Sequence, residues 1–200
     1  MRFFPELLTP SQSALLEAHY ELLLKWNKTL NLTRIEDRDE ALERHYGESL
    51  FLAQKLPEGV LRIADIGSGA GFPGFPVAVY RPDCQVTLIE SHQRKAVFLK
   101  EAARNLPNVR VLAQRAEDVK ETFDIAISRA VSYADLAKPL RHFAPVAYLL
   151  TGALTGAEEP PTAGMTIGTM SISTTMSIRT TIPLPTGKQR FLRIVSRETP

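Results

Sequence analysis

Gly67, Gly69 and Gly71 alternate with small residues directly after an apolar run ending Asp65-Ile66, and a second apolar run, Gln85-Val86-Thr87-Leu88-Ile89, ends in Glu90. Glycine lacks a Cβ and tolerates positive φ, so a strand that stops at glycines lets the backbone approach a ligand closely. A carboxylate at the tip of the next strand can accept hydrogen bonds from the two hydroxyls of a ribose. This spacing predicts capture of a nucleotide-type cofactor. Its detail separates two classes. Counted from Gly67, a dinucleotide fingerprint needs glycine where Phe72 stands; counted from Gly69, it runs through Gly71 and Gly74 but is interrupted by Pro73. Asp65 before the glycines suits a ligand with an ammonium and a carboxylate in place of a pyrophosphate. The expected cofactor is therefore S-adenosylmethionine, with Asp65 supporting the loop that holds its amino acid end.

Further polar residues fall where such a cofactor would lie. Strands are expected over 61–66, 85–90, 109–112, 123–128 and 146–150, with helices near 74–80, 92–105 and 133–142. This alternation predicts a parallel, doubly wound sheet, in which ligands bind at the carboxyl ends of strands. Asp65, Glu90, Glu117 and Ser128-Arg129 all follow strands and so converge on one edge. Arg129 directly follows a buried strand, which aims its guanidinium at that edge; the alternative is an ion pair with Asp124 or Asp135. Ahead of this body, Thr9 or Ser11 can cap a helix carrying Leu15, Leu16, Leu22, Leu23, Trp26 and Leu30 at roughly helical spacing. Its exit is expected over 27–33. A second helix starting near Asp37 or Asp39 places His45, Glu48 and Ser49 at i, i+3 and i+4, hence on one face. The expected organisation is a helical segment over 1–59 and a cofactor-binding domain over 60–200. In the tail, residues 165–182 alternate apolar with Ser or Thr and read as a half-buried strand; a turn at Pro183-Leu184-Pro185-Thr186-Gly187 leads back into an antiparallel strand over 191–195, and 151–164 reads as a loop.

Composition narrows the class. Two hundred residues with 44% apolar content can bury a sizeable core. The lone Cys84 leaves no partner for a disulfide, and His19, His45, His92 and His142 show no metal-ligand spacing, so neither a disulfide framework nor a metal is expected. Pro5 and Glu6 interrupt the amino terminus before any leader-like apolar core, and no run approaches a membrane span, so a cytoplasmic protein is expected. Residues 1–59 hold seven Lys or Arg against ten Asp or Glu, whereas 60–200 hold 17 against 12. The basic clusters are Arg94-Lys95 with Lys100 and Arg104, Arg129 with Lys138 and Arg141, and Lys188 with Arg190, Arg193 and Arg197. Such clusters suit a phosphate backbone, with Lys188, Arg190 and Arg193 the expected contacts to it, although isolated Lys and Arg on helices are more often a solvated face.

Taken together, Trp26-Asn27-Lys28, Asn31-Leu32-Thr33, Arg44-His45, Glu48-Ser49-Leu50, Asp65-Ile66-Gly67-Ser68-Gly69-Ala70-Gly71-Phe72-Pro73-Gly74, Arg115-Ala116-Glu117 and Ser128-Arg129-Ala130 resemble the bacterial small-subunit ribosomal RNA methyltransferases called RsmG or GidB. The resemblance covers nearly the whole chain. It implies a Rossmann-like class I S-adenosylmethionine-dependent methyltransferase fold: α/β, mostly parallel and twisted, with an antiparallel C-terminal hairpin and a helical N-terminal extension. It also implies methyl transfer to N7 of guanosine 527 in the 530 loop of 16S ribosomal RNA. The partners would be that RNA, the 30S subunit or an assembly intermediate, with no membrane and no obligate protein partner. Gly67, Phe72, Ala116, Glu117 and Arg129 match cofactor-contacting positions, joined on the residue reading by Asp65, Gly69, Gly71 and Glu90; Arg129, His45 and Glu48 are the expected catalytic residues. Three departures stand out: Glu48 replaces the family's usual Asp, Thr151 stands in Leu150-Thr151-Gly152 where the family has Lys, and the acidic helical segment that normally follows is replaced. They bear on the RNA-facing surface near 151–180.

The chemistry agrees with the resemblance. Exocyclic-amine methylation often uses an Asn/Asp-Pro-Pro-aromatic element after the fourth strand, where this chain has Ser128-Arg129-Ala130-Val131, and pyrimidine carbon methylation needs a cysteine at the site. Guanine N7 carries a free lone pair and needs no general base. The alternatives are a methyltransferase for another RNA site or a protein, and a non-catalytic adenosyl- and RNA-binding domain.

Overall fold

The computed structural model describes residues 4, 6–131, 135–136, 139–140, 144–152, 176–186 and 189–197. Helix α1 (Pro10–Leu30) starts with a reciprocal cap: the Thr9 hydroxyl accepts from Gln12 N, and Gln12 Oε1 accepts from Thr9 N, with Pro10 at the first helical position. It ends at Asn31, which takes the left-handed conformation. The second helix is less regular than its spacing predicts. Asp37 caps α2 (Arg38–Ala41), the turns widen into a π-helical segment over Leu42–Gly47, and α3 (Glu48–Lys55) follows. Single π-turns inside helices re-aim side chains and recur at functional sites; here the wide turn carries Arg44 and His45.

The strands are β1 (Arg62–Ile66), β2 (Gln85–Ile89), β3 (Val109–Leu112), β4 (Ile125–Arg129), β5 (Val146–Thr151), β6 (Met176–Pro183) and β7 (Phe191–Arg197). They form one sheet in the order β3-β2-β1-β4-β5-β7-β6, with β6 and β7 antiparallel to their neighbours. This is the mostly parallel sheet with a C-terminal hairpin that the alternation predicts. The chain reverses direction across the sheet between β1 and β4, where ligand crevices open in such folds. In-register pairing of Ile66 with Ile89 and with Ser128 brings three strand ends level there.

Helices α4 (Gly74–Tyr80) and α5 (Gln93–Ala102) connect the first strands; α5 tightens into a 3₁₀ turn at Ala103–Asn105, so the helix expected to 105 ends sooner. Residues 135–136 and 139–140 are helical, as the expected 133–142 helix requires, while its remaining residues, most of the 151–164 loop and the 165–175 part of the tail strand lie outside the described residues. One apolar cluster joins Leu16 and Leu23 of α1, Leu50 and Leu52 of α3, Phe75 and Val77 of α4, Phe98 and Leu99 of α5 and the strands' Ile63, Leu88 and Ile127. A second cluster, with Phe123, Leu136 and Leu140, covers Ala64, Ile66 and Ile89 on the other face. No helix among the described residues is long and apolar enough to cross a membrane.

The α4 start is packed to contact. A Cβ on Gly74 would lie 2.4 Å from Leu88 Cδ2 and 2.5 Å from Asp65 Oδ2. Gly74→Ala therefore forces β1 and α4 apart and is expected to cost about 2–3 kcal/mol. Denaturant unfolding measures this; an unchanged midpoint would show that the two elements separate freely.

Candidate functional site

The glycine turn is built from backbone. The Gly67 and Ser68 amides donate to Ile89 O, and the Gly71 and Phe72 amides donate to Ser68 O. Gly67, Gly69 and Gly71 have φ of +70°, +55° and +89°. At Gly67 the requirement is double, since a Cβ would also lie 2.8 Å from Val131 Cγ2. Above Gly69 the space is open, with only Gly67 O at 3.8 Å.

Two carboxylates hold this turn from opposite sides. Glu90 Oε2 accepts from Gly69 N at 2.9 Å and Oε1 from His92 N at 2.7 Å. Asp65 is fully buried beneath the loop, where Oδ2 accepts from Gly74 N at 3.1 Å and Oδ1 has no partner. Burial pushes its carboxyl up to about 7. Asp65 thus props the turn from below, while Glu90 lies at its rim. Beside the turn, Ile66, Gly67, Ser91, Ala116, Glu117 and Val131 line a cleft of about 120 Å³. Glu117 is exposed at its mouth, on the 3₁₀ turn Ala116–Asp118. These residues can hold an adenosyl-type cofactor: backbone unhindered at Gly69, carboxylate lone pairs at Glu90, and a crevice bounded by Gly67 and Ala116. Among the described residues no three of His, Cys, Asp and Glu gather as a metal site.

A second cluster adjoins the first through Phe72. Its ring, buried rather than open to the cleft, stacks on His45 at 4.6 Å and meets Tyr46 edge-on at 5.0 Å. Arg129 Nη1 donates to His45 Nδ1. Arginine has no acceptor, so Nδ1 is unprotonated and Nε2 carries the hydrogen, which it gives to Thr33 Oγ1 at 2.8 Å. Burial, then the charge of Arg129, lowers the His45 pKa to about 3. The neutral ring has both nitrogens engaged. The ring thus holds Arg129 on one side and lies against Phe72 on the other.

Thr33 is itself clamped. Its amide donates to Asn27 Oδ1 and its carbonyl accepts from Asn27 Nδ2. The Asn27 and Thr33 of the amino-terminal motif therefore deliver a hydroxyl to His45. Arg129 is followed by Ala130 at φ +57°, a backbone conformation that side-chain-bearing residues rarely adopt. Its carboxylate partner is Glu48, at 3.7 Å, rather than Asp124, which accepts from Arg62 N. Burial lowers the Arg129 pKa to about 10, against the opposing pull of Glu48.

Glu48 is wholly buried and also takes a two-pronged contact from Arg190, Nε to Oε1 at 2.7 Å and Nη2 to Oε2 at 2.5 Å, with Thr186 Oγ1 at 3.3 Å. Of the three hairpin cations expected to meet RNA, two have partners within the protein. Arg190 turns inward to Glu48, Arg193 is buried against Thr151 Oγ1 and Gly152 O with its guanidinium over Phe191, and Lys188 lies outside the described residues. Arg190 points inward because it finds a buried carboxylate, and Arg193 because it finds a threonine hydroxyl and a backbone carbonyl at the end of β5, neither of which charge counting along the chain registers.

His19 was singled out by no spacing rule, yet it sits under the glycine turn. It stacks on Phe75 at 4.2 Å, meets Phe72 edge-on at 5.4 Å and bonds Tyr46 Oη through Nδ1 at 2.7 Å. Its Nε2 has no partner and lies 3.0 Å from where a Gly71 Cβ would be. Among its features only its position on the buried face of α1 was available to sequence reasoning.

Removing one member of a buried pair strands the other, so Glu48→Gln and Arg190→Gln are each expected to cost about 3 kcal/mol, with the double variant losing at least ~1 kcal/mol less than their sum. Strict additivity in unfolding titrations would mean the pair is uncoupled. Burial also lowers the His19 pKa to about 3. A histidine depressed on folding stabilises the native state above its unfolded pKa and loses that contribution as pH falls from about 6.5 toward 3. Asp65, raised on folding, has the opposite slope between about pH 4 and 7. His19→Phe keeps the ring stack and should flatten the acid loss of stability by up to about 1.4 kcal/mol per pH unit. Parallel stability–pH curves for variant and wild type would contradict a neutral His19.

The sequence model of the GidB family, described as rRNA small subunit methyltransferase G, matches residues 12–147. Curated proteins named Ribosomal RNA small subunit methyltransferase G are similar: that of Mycoplasma capricolum is 42% identical over 60% of this chain and 54% of its own length, and that of Neisseria gonorrhoeae is 43% identical over 66% and 64%. The chain thus spans between half and two thirds of the length of these relatives. A SAM-dependent methyltransferase from Aquifex aeolicus shares the fold at a TM-score of 0.58, with 16% identity over 84% of this chain and 97% of that one. With the glycine turn, Glu90, Ala116 and Arg129 all inside the matched stretch, the chain belongs to the GidB family of rRNA small subunit methyltransferases.

Proposed function

We propose that this protein transfers the methyl group of S-adenosylmethionine to N7 of guanosine 527 in the 530 loop of 16S ribosomal RNA, in the bacterial cytoplasm and on either the free RNA or a 30S particle. The observation that carries the reading is the family match over the residues that build the cleft. When bound, the cofactor supplies an electrophilic methyl on sulfur.

The chain's residues supply placement. Glu90 spends one lone pair of each oxygen on the Gly69 and His92 amides and keeps others for ribose hydroxyls. Gly69 leaves backbone bare for the amino acid end. Arg129, held in orientation by His45 and Glu48, presents its charge at the end of β4. A planar guanidinium can grip guanine O6 or a phosphate while N7 stays free to attack. N7 has a lone pair at neutral pH, so rate enhancement rests on alignment in a water-poor pocket. His45, neutral with both nitrogens engaged, fits a reaction that needs no proton acceptor. Cys84 is buried before β2, at the sheet edge opposite Glu90, away from any role as nucleophile.

Labelled cofactor with small-subunit RNA, followed by nucleoside mass spectrometry, tests the reading: 7-methylguanosine is expected at one position. A folded protein that binds the cofactor and leaves RNA unlabelled would overturn it. Arg129→Lys keeps the charge but loses the fork, and should fold normally yet lose at least about tenfold in methyl transfer, a barrier rise of about 1.4 kcal/mol. Wild-type turnover in that variant would make Arg129 purely structural.

A further inference from the structure

Arg190 and Arg193 of the hairpin are spent inside the protein, so the RNA strand needs another set of cations. We propose that the outward face of α5, Arg94, Lys100 and Arg104 with Val97 between them, is the track along which the RNA backbone docks; this rests on the reading of the substrate as RNA.

These positions share one side of the helix and its 3₁₀ extension, with Ala96, Leu99 and Ala103 buried opposite. Arg94, Lys100 and Arg104 are exposed, and Val97, 54% exposed, is one of two large apolar residues left open on the described surface. None of the three cations takes part in an ion pair among the described residues. One acid, Glu101, stands beside them and accepts from Trp26 Nε1 at 3.1 Å, which leaves three cations against one anion. The face is therefore a net-positive stripe about 15 Å long, at 1.5 Å per residue.

Its direction matters as much as its charge. Helix α5 begins three residues after Glu90, and Gln93 Nε2 donates to Ala113 O, tying its first turn to the segment that leads to the cleft. Exposed Arg115, a lining residue of that cleft, stands at the same end. The stripe thus runs from the mouth of the cleft toward the far end of α5. A strand with its target base in the cleft would have neighbouring phosphates along a row of unpaired cations, and Val97 offers an apolar contact to a ribose or base between them. A protein partner would need a larger apolar centre than one valine.

The test is the triple variant Arg94→Gln, Lys100→Gln, Arg104→Gln, with a control of equal charge loss at exposed Lys25, Lys28 and Lys120. Binding of a 16S ribosomal RNA transcript is measured against salt, with cofactor affinity and methyl-transfer KM and kcat. Each lost phosphate contact on a single strand removes about 0.7 from the slope of log K against log salt. The α5 variant should lose about two units of slope and raise the RNA KM about tenfold, with kcat and cofactor affinity unchanged and the control close to wild type. If wild-type protein binds RNA and the α5 variant keeps its slope and KM, or the control loses as much, the stripe is a solvated surface and the proposal falls while the substrate reading stands. If wild-type protein neither binds nor methylates RNA, both fall.

Discussion

One buried carboxylate ties this structure together. Glu48, on α3, has no exposure to water, so its charge must be met inside the protein, and two arginines from distant parts of the chain meet it. Arg190 arrives from the turn of the β6–β7 hairpin and Arg129 from the end of β4. Neither guanidinium could be buried without the carboxylate, nor the carboxylate without them, because an uncompensated charge in such a place costs several kcal/mol. The pairing fixes where the hairpin lies against the helices and where Arg129 points. The side chain of Glu48 reaches both partners.

From Arg129 the constraint passes to the glycine turn through neutral groups. His45 accepts from Arg129, gives its hydrogen to a threonine clamped by Asn27, and lays its ring on Phe72, a residue of the turn itself. Beneath, His19 and Phe75 complete the aromatic packing and tie α1 to the same loop. The amino-terminal helices are thus a fixed support of the site, continuous with the core of the sheet. Electrostatic and aromatic contacts divide the work: charges set the position of the arginine, rings set the position of the loop.

How much of this the residues announced depended on range. The glycine turn, the parallel strands and α4 were legible because each is written locally, as apolar runs that stop at Gly or acid, and α4 begins and ends where its pattern says. The capping box at Thr9 is likewise a four-residue signature. The π-turn over Leu42–Gly47 was not, since no local residue signature marks a helical turn that closes one residue wider; His45 and Glu48 still share a region, but with a wider turn between them. The inward course of Arg190 and Arg193 was invisible for a different reason. A cation's sequence neighbours say nothing of a carboxylate 142 positions away, and the hairpin's composition resembled a solvent-facing surface. Buried His19 carried no signal beyond lying among the apolar positions of α1.

The span between Glu48 and Arg190 has a consequence for how the molecule comes into being. Chains emerge from the ribosome at about 5–20 residues per second. The helices, the glycine turn and the first four strands are complete in the emerged chain well before residue 190 appears. During that interval Glu48 lacks its two-pronged partner, and β5 has an open edge where β7 will pair. β7 lies between β5 and β6, both of which precede it in the chain, and it follows directly on Arg190, so the strand that pairs with β5 also brings the two-pronged partner of Glu48. A nascent chain therefore holds the glycine turn before it holds the residue that completes the Glu48 pairing, and the setting of Arg129 waits on the hairpin.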